Sequence, residues 1–207
     1  MSRPLVIGIA GGIGSGKSTV ARALADAGCL LYDADAEVTK LYQRKDVLET
    51  IRQWWGPGVA PEDAPAEEPL DRARIAGIIF EDPSQRERLE GLLFPLLAKA
   101  RAELIRGASA SGAPAVVIDA PLLYEAGLDE ECDVVVFVDT PRNERLKRLG
   151  ARSGWDAAEL DRREKAQLPL DAKRDRADYT LSGQGTRADI AHAARHLLED
   201  VISRHAG

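Results

Sequence analysis

The sequence LVIGIAGGIGSGKST, residues 5–19, decides the fold of this 207-residue chain. It opens with a continuous apolar run that contains Val and Ile, at residues 5–10, and glycines follow at once. Between residues 17 and 27 the apolar side chains recur at helical spacing. A buried run that turns through glycines into a helix is typical of a parallel strand feeding a crossover helix. The sequence therefore predicts an α/β protein that begins with a strand, a loop and a helix.

Residues 11–18 fit the pattern G-x-x-x-x-G-K-[ST], the P-loop, between the predicted strand and the predicted helix. In such a loop backbone N–H groups surround phosphate oxygens, and the helix N-terminus adds its positive dipole end. We expect Lys17 to bridge the β- and γ-phosphates of ATP, and the Ser18 hydroxyl to bind Mg²⁺. The predicted nucleotide-binding residues of the loop are Gly12, Ile13, Gly14, Ser15, Gly16, Lys17, Ser18 and Thr19.

Two other interpretations of this loop are weaker. A glycine-rich turn without a ligand would explain the glycines, but not Gly16, Lys17 and Ser18 in that order and place. A dinucleotide-binding loop would need G-x-G-x-x-G with an acidic residue at a second strand end, and the glycines do not fit it. A lysine inside the turn suits a triphosphate, so the pattern favours ATP.

Four further strands are predicted from apolar runs, at residues 29–32, 115–118, 134–138 and 179–181. Strands that alternate with helices predict a P-loop kinase-like parallel sheet flanked by helices, with ligands at the carboxyl ends of the strands. Residues 1–35 and 113–207 are predicted to form this nucleotide-binding core.

Residues 36–112 are predicted to form a helical insertion, because they show helical spacing and no comparable β-rich run. Residues 107–112, which are Gly, Ala and Ser, predict a flexible return to the sheet. Trp54 and Trp55 either pack the insertion against the core or offer a stacking platform to a base. Aromatic residues at helix ends favour packing.

Composition and charge narrow the class of protein. Hydrophobic residues make up 44% of the chain and charged residues 30%, an ordinary globular balance. No signal peptide or membrane span is predicted, so we expect a cytoplasmic protein without a membrane partner. The net charge is −6, yet residues 142–176 hold 11 Lys/Arg against 7 Asp/Glu. Nucleic-acid binding needs a broader basic surface, and this local patch suits a polyphosphate.

The remaining motifs favour a small-molecule kinase over a guanine-nucleotide switch, because neither Asn-Lys-x-Asp nor Asp-x-x-Gly occurs. Such a kinase needs an acceptor-side carboxylate at a strand end and an arginine-rich lid. We predict that residues 142–176 form this lid. For any single arginine, a solvated ion pair is the alternative.

Carboxylates follow the second and third predicted strands. Asp33 and Asp35 come after the second strand. We expect Asp35 to orient the acceptor hydroxyl and Asp33 to hold a magnesium-bound water. The alternative for Asp35 is that it caps the next helix. Asp119 follows the third strand and is a candidate magnesium carboxylate of the Walker B kind, with turn formation before Pro121 as the alternative. His192 and His196 share a helix face, but no cysteine or carboxylate cluster accompanies them.

In this order the motifs resemble the dephospho-coenzyme A kinase family over most of the chain. The resemblance rests on residues 11–19, 33–35, 70–72, 79–80, 89–90, 95–96, 119–125, 167–170 and 177–179. It implies that ATP donates its γ-phosphate to the ribose 3′-hydroxyl of dephospho-coenzyme A. It also implies that the insertion belongs to a coenzyme A-binding subdomain and that residues 142–176 include the lid. Within this lid the resemblance implies a catalytic role for Arg148 and a nucleotide-binding role for Lys173.

Four residues depart from the family pattern. This chain has Ala10 where the family usually has a threonine, and Phe94 where it has a histidine. It has Arg145 in place of a glutamine and Ser182 in place of an asparagine. The P-loop and the other predicted site residues match the pattern, so the resemblance implies an active enzyme. Two other functions remain open from the residues alone. One is a kinase of another nucleoside or small alcohol, and the other is a non-enzymatic ATP-dependent regulator.

Overall fold

The computed structural model describes residues 3–205, and its centre is a five-stranded parallel sheet. The strands are β1 (Leu5–Gly11), β2 (Leu30–Asp33), β3 (Ala115–Asp119), β4 (Val134–Asp139) and β5 (Tyr179–Ser182). Their order across the sheet is β2-β3-β1-β4-β5, and every neighbouring pair is parallel. The predicted fold class is confirmed, and the bounds of each predicted strand lie within one residue of those observed.

Nine α-helices and one short 3₁₀ helix are found in the described part of the chain. The helices are α1 (Lys17–Asp26), α2 (Ala34–Leu41), α3 (Lys45–Trp55), α4 (Arg72–Glu81), α5 (Pro83–Ser111), α6 (Arg142–Ser153), α7 (Ala157–Glu164), α8 (Leu170–Asp175) and α9 (Arg187–His205), and the 3₁₀ helix is Leu128–Glu131. Among residues 3–205, no helix combines the length and the apolar character needed to cross a membrane.

The main core lies between the sheet and the helices α1 and α9. Alternate residues of a strand point to one face, and on this face Ile9 of β1 and Val117 of β3 are fully buried. Val20 of α1 and Val201 of α9 belong to the same buried cluster. Burial of each such side chain contributes about 1.5–3 kcal/mol, so this layer holds α1, and with it the start of the P-loop helix, against the sheet.

Contacts divide the chain into two compact units. One comprises Met1–Asp33 and Leu104–Gly207, and the other is Ala34–Glu103. The second unit has its own buried cluster, with Val47 and Ile51 of α3 among its most deeply buried members. The sequence placed the insertion at residues 36–112, so the two divisions differ most at the C-terminal boundary.

The predicted flexible return to the sheet at residues 107–112 is not observed, because residues 107–111 continue α5. The prediction of a flexible segment was wrong. Ala and Ser are tolerated in helices, and Ala108 is buried with 1% exposure. Packing at Ala108 therefore offsets the cost of Gly107 inside the helix, which is about 0.5–1 kcal/mol relative to alanine.

Trp54 and Trp55 contact each other and other residues of the unit Ala34–Glu103. Their rings meet edge to face with centroids 5.9 Å apart. The Trp55 indole N–H donates to Gln85 Oε1 at 2.9 Å, and the Arg88 guanidinium lies 4.1 Å from the centroid of a Trp54 ring. Both indoles are thus held by contacts within this unit.

The chain after β5 approaches the P-loop so closely that only glycine fits at residue 183. A Cβ on Gly183 would lie 2.1 Å from Thr140 Oγ1 and 2.4 Å from the Ser15 carbonyl oxygen. The Gly183 N–H donates to the Asp139 carbonyl at 2.7 Å, which fixes its backbone in this place.

We expect Gly183→Ala to lower the free energy of unfolding by about 1–3 kcal/mol, because overpacking forces the backbone to move. Urea denaturation measures the change. Gly150→Ala on α6 is the matched control, since its Cβ would meet the nearest atom, the Trp155 carbonyl oxygen, at an ordinary 3.7 Å. Equal stability of the two variants would contradict the close approach.

Candidate active site

The P-loop connects the end of β1 at Gly11 with the start of α1 at Lys17. The chain turns at Gly16, which occupies the N-cap position of α1 with a φ of 100°, a conformation that favours glycine. Inside the loop, the Ser15 N–H donates to the Gly12 carbonyl at 3.1 Å. The structure therefore brings the predicted phosphate-binding residues 12–19 together in one loop and one helical turn.

The Lys17 ammonium is positioned by the backbone of its own loop. It donates to the carbonyls of Gly11 at 3.1 Å and Gly12 at 3.0 Å. These bonds keep a positive charge at the loop, beside the N-terminus of α1. Both features favour an anion at this place.

Arg148, the predicted catalytic arginine, lies on α6 and contacts the backbone of the loop. Its NH1 donates to the Ser15 carbonyl at 3.0 Å, and its NH2 donates to the Gly183 carbonyl at 2.6 Å. The buried Thr140 hydroxyl also donates to the Ser15 carbonyl, at 2.8 Å. Arg148 thus joins α6, the P-loop and the segment after β5.

Two of the predicted carboxylates meet at one edge of the sheet. Asp33 ends β2 and Asp119 ends β3, and these two residues are partners in the parallel register. Asp119 is buried, with 7% exposure, whereas Asp33 is partly exposed. Because β1 pairs with β3, both strand ends belong to the same carboxyl edge of the sheet as the P-loop.

Asp35 belongs to the other unit, Ala34–Glu103, and is exposed. It lies in the first turn of α2, which begins at Ala34. Asp35 therefore does not occupy the cap position of this helix, and its capping alternative is wrong. Its carbonyl accepts a hydrogen bond from the Thr39 hydroxyl at 2.9 Å.

Lys173 is nearly fully buried, with an exposed fraction of 2%, and has protein partners for its ammonium. It forms an ion pair with Glu125 Oε1 at 2.9 Å and donates to Gln167 Oε1 at 3.0 Å. Glu125 also accepts from the Leu168 N–H at 2.8 Å. Burial raises the pKa of the Glu125 carboxyl, but the bonds from Lys173 and Leu168 outweigh burial and leave the pKa lowered.

The oxygen donors present fit a magnesium ion. The Ser18 hydroxyl is exposed in the first turn of α1, and Asp33 and Asp119 supply carboxylates at the strand ends. Magnesium is a hard cation that takes oxygen ligands and is usually bound by one or two carboxylates together with substrate phosphates. Such a site needs no cage of protein ligands, and no group of three His, Cys, Asp or Glu in the described part of the chain forms one.

The imidazoles of His192 and His196 contact each other on the exposed face of α9, with 3.1 Å between their Nε2 atoms. Within residues 3–205 no third ligand completes a metal site with this pair.

Three neighbours of the site received no role from the sequence, namely Thr140, Gly183 and Glu125. Thr140 and Gly183 each follow a strand, and a glycine at a strand end is a signal of close backbone approach. Glu125 ends the motif at residues 119–125, but its pairing with Lys173 joins segments distant in sequence. No local pattern reveals that contact.

Solved structures share this fold along nearly the whole chain. The protein TT1252 from Thermus thermophilus superposes with a TM-score of 0.78 and is 34% identical, covering 96% of this chain and 98% of its own. A dephospho-CoA kinase from Campylobacter jejuni has a TM-score of 0.66 over 97% of this chain and 98% of its own. At 18% identity, this second likeness shows the fold alone.

Sequence comparisons give the family. The profile of the family described as dephospho-CoA kinase matches residues 5–189. The dephospho-CoA kinase of Anaeromyxobacter dehalogenans is 38% identical over 197 residues, which cover 95% of this chain and 92% of the relative. That of Corynebacterium glutamicum is 35% identical over 201 residues, which cover 97% of this chain and 98% of the relative. The chain therefore belongs to the dephospho-CoA kinase family.

Proposed function

We propose that the protein transfers the γ-phosphoryl group of ATP to the ribose 3′-hydroxyl of dephospho-CoA, which gives CoA and ADP. This transfer would be the last step of CoA synthesis. The bond between the γ-phosphorus and the β–γ bridging oxygen breaks, and the 3′-oxygen forms the new bond to phosphorus. The hydroxyl proton is released, and ADP keeps the bridging oxygen.

One observation carries this proposal. Within one compact unit, the P-loop and two strand-end carboxylates lie at the carboxyl edge of a parallel sheet. The ammonium of Lys17 is hydrogen-bonded to the backbone of the loop. Phosphoryl transfer needs positioned donors for phosphate oxygens and carboxylates for a metal ion, and little covalent chemistry from the protein. Membership of the family favours dephospho-CoA over another nucleoside or small alcohol as acceptor, and favours an enzyme over a regulator.

In this proposal the backbone of residues 12–19 binds the phosphates of ATP, and Lys17 bridges the β- and γ-phosphates. Arg148 stabilises the charge that develops on the transferred group. Lys173 would also contribute to binding the nucleotide. A direct contact with phosphate would require its ammonium to leave Glu125 and Gln167.

Ser18 would bind Mg²⁺ together with the phosphates, and Asp119 and Asp33 would hold its bound water. Such an ion supplies charge neutralisation at the β- and γ-phosphate oxygens. The donor set supports this assignment, since hydroxyl and carboxylate oxygens suit Mg²⁺.

The acceptor side of the proposal involves residues 36–112 and Asp35. Residues 36–112 would bind the CoA portion, and residues 142–176 would include the lid. Asp35 would orient the 3′-hydroxyl and accept its proton. Its exposed side chain, two residues after Asp33 at the end of β2, supports this assignment.

A coupled ADP-release assay tests the acceptor. We expect dephospho-CoA to give the highest kcat/KM in a panel with adenosine, uridine, pantothenate and shikimate. An advantage of tenfold or more for another acceptor, about 1.4 kcal/mol in transition-state binding, would overturn the choice of substrate. ATP binding without turnover of any acceptor would instead favour the regulator.

We expect Lys17→Ala to lower kcat by about a hundredfold or more, because the ammonium acts where charge develops on the phosphates. The same assay measures kcat, and circular dichroism confirms folding. Arg204→Ala, which removes an exposed cation from α9, serves as control and should keep wild-type turnover. A folded Lys17→Ala enzyme with near-normal kcat would exclude the P-loop from the reaction.

Asp35→Asn and Asp33→Asn separate the two carboxylate roles. We expect Asp35→Asn to lower kcat by about 10²–10⁴, the usual loss for a general base, while ATP affinity stays within a few-fold of wild type. Asp33→Asn should weaken the magnesium-dependent step and recover partly at higher Mg²⁺. If Asp33→Asn abolishes transfer while Asp35→Asn stays within threefold of wild-type kcat, the assignments are reversed.

A further inference from the structure

The carbonyl groups of the P-loop are held from outside the loop. Thr140 and Arg148 both donate to the Ser15 carbonyl. In a planar trans peptide the C=O and the following N–H point in opposite directions. A side chain that holds a loop carbonyl on one side therefore directs the next N–H to the other side, which is where a phosphate would be bound.

Arg145 makes the corresponding contact two peptide groups earlier in the P-loop, at the Ile13 carbonyl. It lies on α6 with an exposed fraction of 3%, and its NH1 donates to the Ile13 carbonyl at 3.1 Å. Its Nε donates to the Thr140 carbonyl at 3.2 Å. The guanidinium also packs tightly on the loop, since a Cβ on Gly12 would lie 2.8 Å from its NH1. Arg145 thus touches the loop at two consecutive residues.

The charge of Arg145 is compensated by Glu164, the last residue of α7. NH1 of Arg145 donates to Glu164 Oε1 in a short ion pair. The second carboxylate oxygen of Glu164 pairs with Arg142 NH1 at 3.4 Å. Of the five N–H donors of a guanidinium, the two backbone carbonyls and the carboxylate take three, including both on NH1. The contacts of Arg145 therefore suit the support of a loop better than the direct binding of an anion.

We propose that Arg145 is a positioning residue, which fixes the Ile13 carbonyl and so directs the Gly14 N–H toward the phosphates. Glu164 orients the guanidinium and thereby couples α7 to the P-loop. This inference rests on the proposed binding of ATP. A glutamine, the residue that the family resemblance gives at this position, has no charge to pair with Glu164. The coupling to α7 is thus a property of the arginine in this chain.

Nucleotide titration calorimetry on Arg145→Met and Glu164→Gln tests the proposal, with Mg-ATP and Mg-ADP titrated separately into the whole protein without acceptor. P-loop N–H groups cradle the α- and β-phosphates that ATP and ADP share. Arg145→Met should therefore lower the affinities for ATP and ADP by the same factor. We expect a loss of about tenfold, which is typical of a lost charge-assisted hydrogen bond. Glu164→Gln should also lower the affinities for both nucleotides, by about threefold.

Direct contact between Arg145 and the γ-phosphate predicts the opposite pattern. Arg145→Met would then lower the affinity for ATP much more than the affinity for ADP. Glu164→Gln would raise the affinity for ATP, because it frees the guanidinium from a competing carboxylate. Either result would overturn the inference. If Arg145→Met does not fold, as judged by urea denaturation, the sign of the Glu164→Gln effect decides.

Arg142→Met is the matched control on the same helix. Arg142 shares Glu164 and also pairs with Asp161 at 2.6 Å, so the variant removes an ion pair to α7 without removing a donor to the loop. Nucleotide affinity should change less than twofold. If Arg142→Met lowers nucleotide affinity as much as Arg145→Met does, the ion pairs to α7 account for the effect. The proposal that Arg145 acts through its contact with the P-loop would then be overturned. Failure of the wild-type protein to bind either nucleotide would overturn the proposed function together with this inference.

Discussion

Hydrogen bonding of β1 on both sides is the constraint on which the rest of the site depends. Residues 5–9 of this strand pair with β3, and residues 7–11 pair with β4. A shift of register by one residue would turn every buried side chain of β1 to the wrong face, so the register is strongly specified. The position of Gly11, and with it the start of the P-loop, is fixed relative to Asp119 on one side and Thr140 on the other.

Contacts around the loop extend this constraint to its carbonyl groups. Arginines of α6, the Thr140 hydroxyl and the backbone at Gly183 all approach the same few peptide groups. Their hydrogen bonds form as the chain folds. The cost of orienting the loop is therefore met by folding and not by ligand binding, which is the condition under which backbone dipoles act efficiently on phosphate charge.

The sequence predicted the five strands, the P-loop and the strand-end carboxylates, because each follows from a local pattern of apolar residues, glycines and acidic residues. It did not predict the contacts between distant segments. The burial of Lys173 against Glu125, the support of Ile13 by Arg145 and the fit at Gly183 arise only when α6, α8 and β5 pack beside the loop. The extension of α5 was missed because burial at Ala108 overrides the weak helix propensity of Gly and Ser.

The ends of the unit Ala34–Glu103 have a consequence for protein engineering. β2 runs into α2 without a loop, and α5 passes from Glu103 to Leu104 in mid-helix. Modular insertions are usually joined through exposed linkers, which allow their removal or exchange. Excision at these points would cut a 29-residue helix and leave backbone groups without their partners. A chimera that exchanges this unit with that of a relative must therefore carry the whole of α5.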